Sequence, residues 1–156
     1  MVNGSMKKYS KTIEFLLRVN NKLNLISKEP RDFGTGDFLY STEIHTIVAI
    51  SKTPGTNLTQ LAETLGVSKS AASKFIKKLI AKHYIIKSRP VDNQREVIFN
   101  LTDKGKIAFQ GHERFSSETF KRVYSILEDS KEREIVTIEN FLEKLNEELA
   151  QIIEKI

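Results

Sequence analysis

The sequence predicts a mainly α-helical protein with one small β-hairpin, an α+β fold. Apolar residues recur every three or four positions over most of the chain, which is the spacing of amphipathic helices. The stretch over 95–101 instead alternates between apolar and polar residues, as a half-buried strand does. The stretch over 57–84 has the caps and the glycine turn of two consecutive short helices. The length of 156 residues is that of a single domain.

The two short helices are the centre of the predicted fold. The first is expected from Thr59, whose hydroxyl suits an N-cap, to Leu65. Gly66 provides the tight turn after it, because a residue without Cβ adopts a positive φ at no steric cost. Ser68 suits a second N-cap, and the second helix is expected to extend to about His83.

The second helix has two distinct faces. One is apolar and should pack on a core; it consists of Ala72, Phe75, Ile76 and Leu79. The other is small, polar and basic, and it includes Ser70, Ser73, Lys74 and Lys77. No carboxylate occurs from Val67 to Val91. Such a face fits a DNA major groove, because serines allow close approach and lysines meet phosphates or guanine edges. The alternative is a solvated face on a helical bundle.

The other elements surround this pair. Helices are expected over 9–27, 41–52, 103–127 and 132–156, with Ser41 or Thr42 capping the second and Thr102 the third. Strands are expected over 85–89 and 95–101, and a loop over 28–36. The aromatic residues in and beside that loop are expected to form a lid on the core rather than a ligand site: Phe33, Phe38 and Tyr40. The apolar stripe of the last helix, which ends at Ile156, should pack on the first helix and on a second copy.

Charge is distributed unevenly along the chain. The net charge is +5, but residues 67–95 carry eight bases and one acid, and residues 128–156 carry nine acids and four bases. A basic middle predicts a polyanionic partner there and argues against general binding to a membrane surface. The chain has no cysteine, which excludes disulfides and thiolate metal sites. No long apolar run or signal core is present, so we expect a cytoplasmic protein.

Three segments resemble the MarR family of bacterial and archaeal transcription regulators. They are LA at 61–62 with LGVS at 65–68, DNQR at 92–95, and LTDKG at 101–105. In that family they are, in order, the helix–turn–helix core, the tip of a β-hairpin wing, and the segment after the wing. The order and spacing match over essentially the whole chain, so the resemblance implies a winged helix–turn–helix with helical dimerisation arms.

The resemblance also implies which residues act. The DNA-binding lobe would span 38–101, and the arms of a homodimer 6–28 and 103–156. Arg95 would enter the minor groove of double-stranded DNA, with Asp92 orienting its guanidinium; the alternative is an ordinary turn ion pair. The implied DNA-binding residues are Ser68, Lys69, Ser70, Ser73, Lys74, Lys77, Arg89, Asp92 and Arg95.

Two histidines are candidate metal ligands. His45, before the helix–turn–helix, and His112, after the wing, are at positions that resemble those used by the zinc-sensing branch of the family. That branch places a further histidine where this chain has Ser116. A zinc site would therefore need carboxylates, with Glu113 the first choice and Glu43 or Glu29 the others. The alternative is that each histidine is simply hydrogen-bonded at the edge of the core.

The expected function is that of a DNA-binding regulator. We expect a homodimeric repressor on a pseudo-palindromic operator, controlled by a small molecule or a metal in the cleft between lobe and arms. One alternative is a zinc-responsive regulator of the same fold. Another is a winged-helix protein–protein adaptor that binds no DNA, although an adaptor surface should carry apolar anchors instead of lysines. An enzyme is not expected, because no phosphate loop or nucleophile motif is present.

Overall fold

The computed structural model describes the backbone of residues 3–155 and the side chains of residues 8–153 and 155. Its helices confirm the predicted fold class. Short antiparallel strands lie between them. In chain order the elements are α1 (Asn3–Ser27), β1 (Arg31–Asp32), β2 (Phe38–Leu39), α2 (Ser41–Lys52), β3 (Thr56–Asn57), α3 (Leu58–Leu65), α4 (Lys69–Ala81), β4 (Ile85–Ser88), β5 (Ile98–Leu101), α5 (Asp103–Glu128) and α6 (Glu132–Glu154).

The wing is a three-stranded antiparallel sheet in the order β3-β5-β4. β5 pairs with β4 so that Leu101 lies opposite Ile85, and with β3 so that Phe99 lies opposite Thr56. The hairpin was predicted, but its strands are shorter than expected: β4 ends at Ser88, and β5 begins only at Ile98. β3 and the separate β1–β2 pair were not predicted, because strands of two residues show no periodicity.

Several predicted helix ends need correction. The N-cap of α3 is Asn57 rather than Thr59, since the Asn57 side chain accepts from the N–H groups of Thr59 and Gln60. Tyr40, not Ser41 or Thr42, precedes α2. α4 ends at Ala81, and His83 lies beyond it with a φ of 62°. α1 begins before the predicted Tyr9, at Asn3.

Three other predicted helix ends match the structure. Gly66 ends α3 in the left-handed region, with a φ of 64°. Ser68 caps α4 and accepts from the N–H of Ala71 at 3.2 Å. Thr102 caps α5, as predicted, and accepts from the N–H of Gly105.

The core lies in one lobe of the structure, around the helix–turn–helix. It is formed by α2, the inner faces of α3 and α4, the wing strands and the first turns of α5. Its largest buried apolar side chains include Leu39, Ile47, Ile50, Leu61, Ile76, Leu79, Tyr84, Ile85 and Phe99. Burial of these groups is the main stabilising contribution to the lobe.

Thr102 connects three parts of the structure: the end of α4, the start of the wing and the start of α5. Its hydroxyl lies 2.7 Å from the carbonyl oxygen of His83, and its N–H donates to the carbonyl of Tyr84 at 3.0 Å. Gly105 allows this contact, because a Cβ there would lie 2.2 Å from the same Tyr84 oxygen. The end of α4, the start of the wing and the start of α5 are therefore fixed to one another at this residue, which we call the Thr102 junction.

α1 and α6 leave apolar faces uncovered. Among the described residues these two helices do not pack extensively on each other, so the predicted packing of the last helix on the first is not found within that part of one protomer. Ile156, the end of the predicted stripe, lies outside the described residues. None of the described helices combines the length and apolarity needed to cross a bilayer. The exposed apolar residues of these two helices are Tyr9, Ile13, Phe15, Leu17, Val19, Leu23, Leu25, Val136, Ile138, Phe141, Leu142, Leu149, Ile152 and Ile153.

Candidate nucleic-acid interface and the adjoining cleft

α4 presents its predicted polar face to solvent. The apolar face packs on the core through Ala72, Ile76 and Leu79, with Phe75 half-buried beside them. This packing fixes the rotation of the helix about its own axis and turns the opposite side outward. Ser73 is half-buried, and the remaining predicted DNA-binding residues of this helix and its cap are exposed: Ser68, Lys69, Ser70, Lys74 and Lys77.

The wing tip is exposed as well. The side chains of Arg89, Asp92 and Arg95 all face solvent. Among the described residues, Asp92 and Arg95 form no ion pair; instead the N–H of Arg95 donates to Asn93 Oδ1 at 3.3 Å. The ordinary turn ion pair is therefore not found, and orientation of Arg95 by Asp92 stays a prediction for the DNA-bound protein.

Asn57 connects the helix–turn–helix to the wing, which the sequence analysis missed. Its Nδ2 donates to Glu96 Oε1 at 2.8 Å, while its Oδ1 caps α3. Gln60 completes a capping box by accepting from the N–H of Asn57 at 3.0 Å. The spacing of Asn57 and Gln60 is a capping-box signal that was visible in the sequence.

Glu43 is a buried carboxylate that holds the far end of α4. Only 1% of its surface is exposed. Its Oε1 accepts from Lys82 Nζ at 2.8 Å and lies 3.2 Å from Lys78 Nζ, and its Oε2 accepts from the N–H of Tyr40 at 2.9 Å. Burial acts to raise the pKa of Glu43, but the bonds from Lys82, Tyr40 and Lys78 outweigh it and lower that pKa. All of these bonds tie Glu43 to α4 and to its own helix turn. The expectation that Glu43 is an alternative metal ligand was therefore wrong.

His45 and His112 do meet in a cleft beside α1. Their ring centroids are 5.6 Å apart, at an interplanar angle of 89°. Burial lowers the pKa of both imidazoles, and for His112 the neighbouring His45 lowers it further. Within the part of the chain that the structure describes, His112 Nδ1 is buried and has no hydrogen-bond partner, so the alternative of a simply hydrogen-bonded histidine is not met at this atom.

The residues of this cleft do not make a complete metal site. Glu113 is exposed, and Glu29 lines the cleft with the two histidines. Within the side chains that the structure describes, no group of three or more potential ligands is arranged to hold a metal ion. Zinc sites in proteins have three or four protein ligands. Two imidazoles in one protomer are therefore too few.

A larger open cleft of about 550 Å³ lies between the β1–β2 loop and α5. The guanidinium of Arg31 stacks 4.5 Å from the ring centroid of Phe115 and donates to the carbonyl of Ile26 at 3.2 Å. Phe33 is buried and forms part of the core, as the predicted lid requires. Phe38, on the rim of the cleft, and Tyr40 are 64% and 51% exposed, so the prediction of a lid was wrong for these two. The loop thus has a buried anchor and an exposed edge.

The sequence of this chain is similar to those of known transcriptional regulators. Residues 39–97 match the model of the MarR family. HTH-type transcriptional regulator PchR of Bacillus subtilis is 32% identical over 108 residues, which are 69% of this chain and 64% of PchR, so less than two thirds of that relative is spanned. The transcriptional regulator ZitR of Lactococcus lactis is 29% identical over 110 residues, 70% of this chain and 75% of ZitR.

Solved structures agree on the fold. Streptococcus pneumoniae FabT in complex with DNA superposes with a TM-score of 0.69 at 27% identity, covering 92% of this chain and 99% of FabT. The structure of ZitR, a zinc-responsive MarR family member, gives a TM-score of 0.60 at 21% identity, over 88% and 99% of the two chains. The match covers the described arms as well as the lobe. Residues 39–97 thus match the MarR family, and the described chain has the fold of the winged-helix transcriptional regulators of that family.

Proposed function

We propose that this protein is a homodimeric, sequence-specific regulator of transcription that binds double-stranded DNA. The observation that carries the proposal is the exposed face of α4, where lysines and small serines stand beside a basic wing with no carboxylate from Val67 to Val91. Backbone phosphates attract the lysines, and the short serines permit close approach to base edges. The DNA complex of the similar FabT supports the same use of this fold.

The proposed dimer rests on α1 and α6. An uncovered apolar surface of this extent is unusual in a monomer and indicates an interface. Two-fold symmetry would place the two α4 helices in successive major grooves, so that the operator is pseudo-palindromic with half-sites about one helical turn apart. Bound across a promoter in the cytoplasm, such a dimer would act as a repressor by occlusion.

A ligand in the cleft beside α5 would control binding. The cleft has aromatic walls, and its charged lining is mixed, with Arg31 and Arg114 beside Asp32 and Glu118, which suits a small, mostly apolar organic ligand with a few polar groups. It lies between the lobe and the arms, so a ligand with different affinities for two arm positions would change the spacing of the two α4 helices.

Selection from a random duplex pool, followed by gel shifts over a series of salt concentrations, tests the proposal. We expect enrichment of a two-fold sequence and a steep linear fall of log affinity with log salt, because bound lysines and arginines release condensed counterions. Failure to retain any duplex at low salt would favour the protein–protein adaptor instead.

A second candidate is zinc-responsive regulation, with ZitR as the similar protein. The facing rings of His45 and His112 and the unpartnered Nδ1 of His112 favour it. The missing third ligand disfavours it, so the first candidate is better supported. Zinc titrated calorimetrically into chelator-stripped protein decides between them. Heat of binding that is lost in His112→Ala would establish zinc, and identical titrations of both proteins would exclude this pair as the site.

A further inference from the structure

α4 carries a further pair of lysines, at the border between its core face and its lysine and serine face. Lys78 and Lys82 are one helical turn apart and both reach the carboxylate of Glu43 on α2. The ring of Tyr40 lies 5.1 Å from Lys78 Nζ, and the N–H of Tyr40 donates to Glu43. The last turn of α4 is therefore attached to the first turn of α2 by a charged cluster.

Stability alone is a poor explanation for this cluster. Removing a carboxylate from water is costly, and buried ion pairs contribute about as much as apolar side chains of the same volume, or less. What distinguishes an ion pair is direction, because its bonds are satisfied only at one separation and orientation. Apolar packing of Ala72, Ile76 and Leu79 fixes the rotation of α4, but burial of apolar surface has no preferred direction of its own.

We infer that Glu43 is a positioning residue for DNA reading, which holds the C-terminal half of α4 at the tilt that base recognition requires. The inference rests on the proposed function of α4. The N-terminal end of α4 is already fixed by the Gly66 turn and the Ser68 cap. Glu43 supplies the second fixed point, at Lys78 and Lys82.

A positioning role has a specific consequence for binding. Contacts to base edges need close geometric fit, whereas the attraction of lysines to phosphates tolerates small displacements. Loss of Glu43 should therefore lower the affinity for the selected duplex and leave the affinity for a scrambled duplex unchanged. Any change in the affinity for the scrambled duplex should be an increase, because Lys78 and Lys82 would be released toward the DNA.

The same turn of α2 also borders the cleft. His45, two residues after Glu43, faces His112 on α5. Displacement of this turn would be passed directly to α4 through Glu43. This makes Glu43 the contact through which an occupant of the cleft would reach the reading helix.

The test compares Glu43→Gln with the wild type on two probes, a duplex selected from the random pool and a scrambled duplex of the same composition. We expect the ratio of the two affinities to fall about tenfold. This corresponds to about 1.4 kcal/mol, which is in the middle of the range for interaction energies between residues in contact. Glu63→Gln is the matched control. It removes the same charge from an exposed position on α3, where Glu63 forms no ion pair within the described part of the chain.

Lys82→Met provides a second variant, since Lys82 is partly exposed and its loss leaves Lys78 paired with Glu43. We expect about a threefold fall in the ratio for Lys82→Met, and for the double variant no fall beyond the tenfold of Glu43→Gln alone, because both changes break the same contact. An unchanged ratio in either variant would overturn the inference, as would an equal loss on both duplexes. Wild-type protein that binds neither duplex would instead refute the proposed function.

Discussion

Gly111→Ala is a substitution for which two opposing effects can be compared. In the middle of a helix, replacing glycine by alanine ordinarily stabilises by about 1 kcal/mol, because alanine loses less conformational entropy. Here a Cβ would lie 2.1 Å from the carbonyl oxygen of Phe33. Real Cβ contacts stay beyond 3.0 Å, so the β1–β2 loop and α5 would have to separate by 3.0 − 2.1 = 0.9 Å.

That separation would loosen the packing of Phe33. Its ring is buried and lies 5.7 Å from the ring of His112 and 6.1 Å from that of Phe115. Inserting a methyl group into a packed contact of this kind costs about 1–3 kcal/mol. Because the contact is with backbone on both sides and cannot be relieved by a side-chain rotation, we expect the clash to exceed the helix gain. A clash of about 2 kcal/mol less a helix gain of about 1 kcal/mol leaves a net loss of about 1 kcal/mol.

Thermal and urea unfolding measure this loss. A net destabilisation of about 1 kcal/mol should lower Tm by about 2–4 °C in a protein of this size. Gln110→Ala is the matched control, because it changes helix propensity at the neighbouring exposed position without meeting the loop. Gly111→Ala with stability equal to or above the wild type would refute the close approach of loop and helix.

Three further predictions follow from the interface, the arms and the buried carboxylate. Lys74→Ala and Arg95→Ala should change folding stability by less than about 0.5 kcal/mol, since both side chains are exposed. Each should weaken binding to the selected duplex by about 1–3 kcal/mol if it reads a base edge; unchanged binding in gel shifts would remove that residue from the interface. Deleting 139–156 should give aggregates or a monomer without DNA affinity, because the apolar face of α1 loses its partner; a well-behaved DNA-binding monomer in sedimentation would contradict the proposed dimer. The pKa of Glu43 is lowered in the folded protein, so its stabilisation is present above the ordinary value of 4.5 and is lost as pH falls below it. Unfolding of Glu43→Gln should depend less on pH there than unfolding of the wild type, and parallel curves would contradict the shift.

Local signals allowed most of the helix–turn–helix to be predicted. Gly66 and Ser68 have their predicted roles because a left-handed turn and an N-cap depend on the residues next to them. Thr59 was the wrong cap because two residues in the same segment can cap a helix. The side chain of Asn57 has the carbonyl that reaches both free N–H groups, and its own link to Glu96 fixes it there.

Long-range contacts were much harder to predict. The approach of His45 and His112 followed from the resemblance to a known fold and is confirmed by their contact. Glu43 was named as one of the carboxylates that could complete a metal site, while its actual partners, Lys78 and Lys82, are 35 and 39 residues away at the end of α4. No periodicity or motif in the sequence indicates a pair of that separation.

Because of the Thr102 junction, any rotation of α5 is transmitted to the end of α4 and to the start of the wing. The helix has 26 residues and is therefore about 39 Å long, and one of its ends is bonded to the end of α4 and the start of the wing. A tilt of about 5° along this length moves the far end by about 3 Å, close to the 3.4 Å rise of one base pair. In the proposed homodimer, small changes of angle among the arms would thus be sufficient to bring the two α4 helices into or out of step with the repeat of DNA.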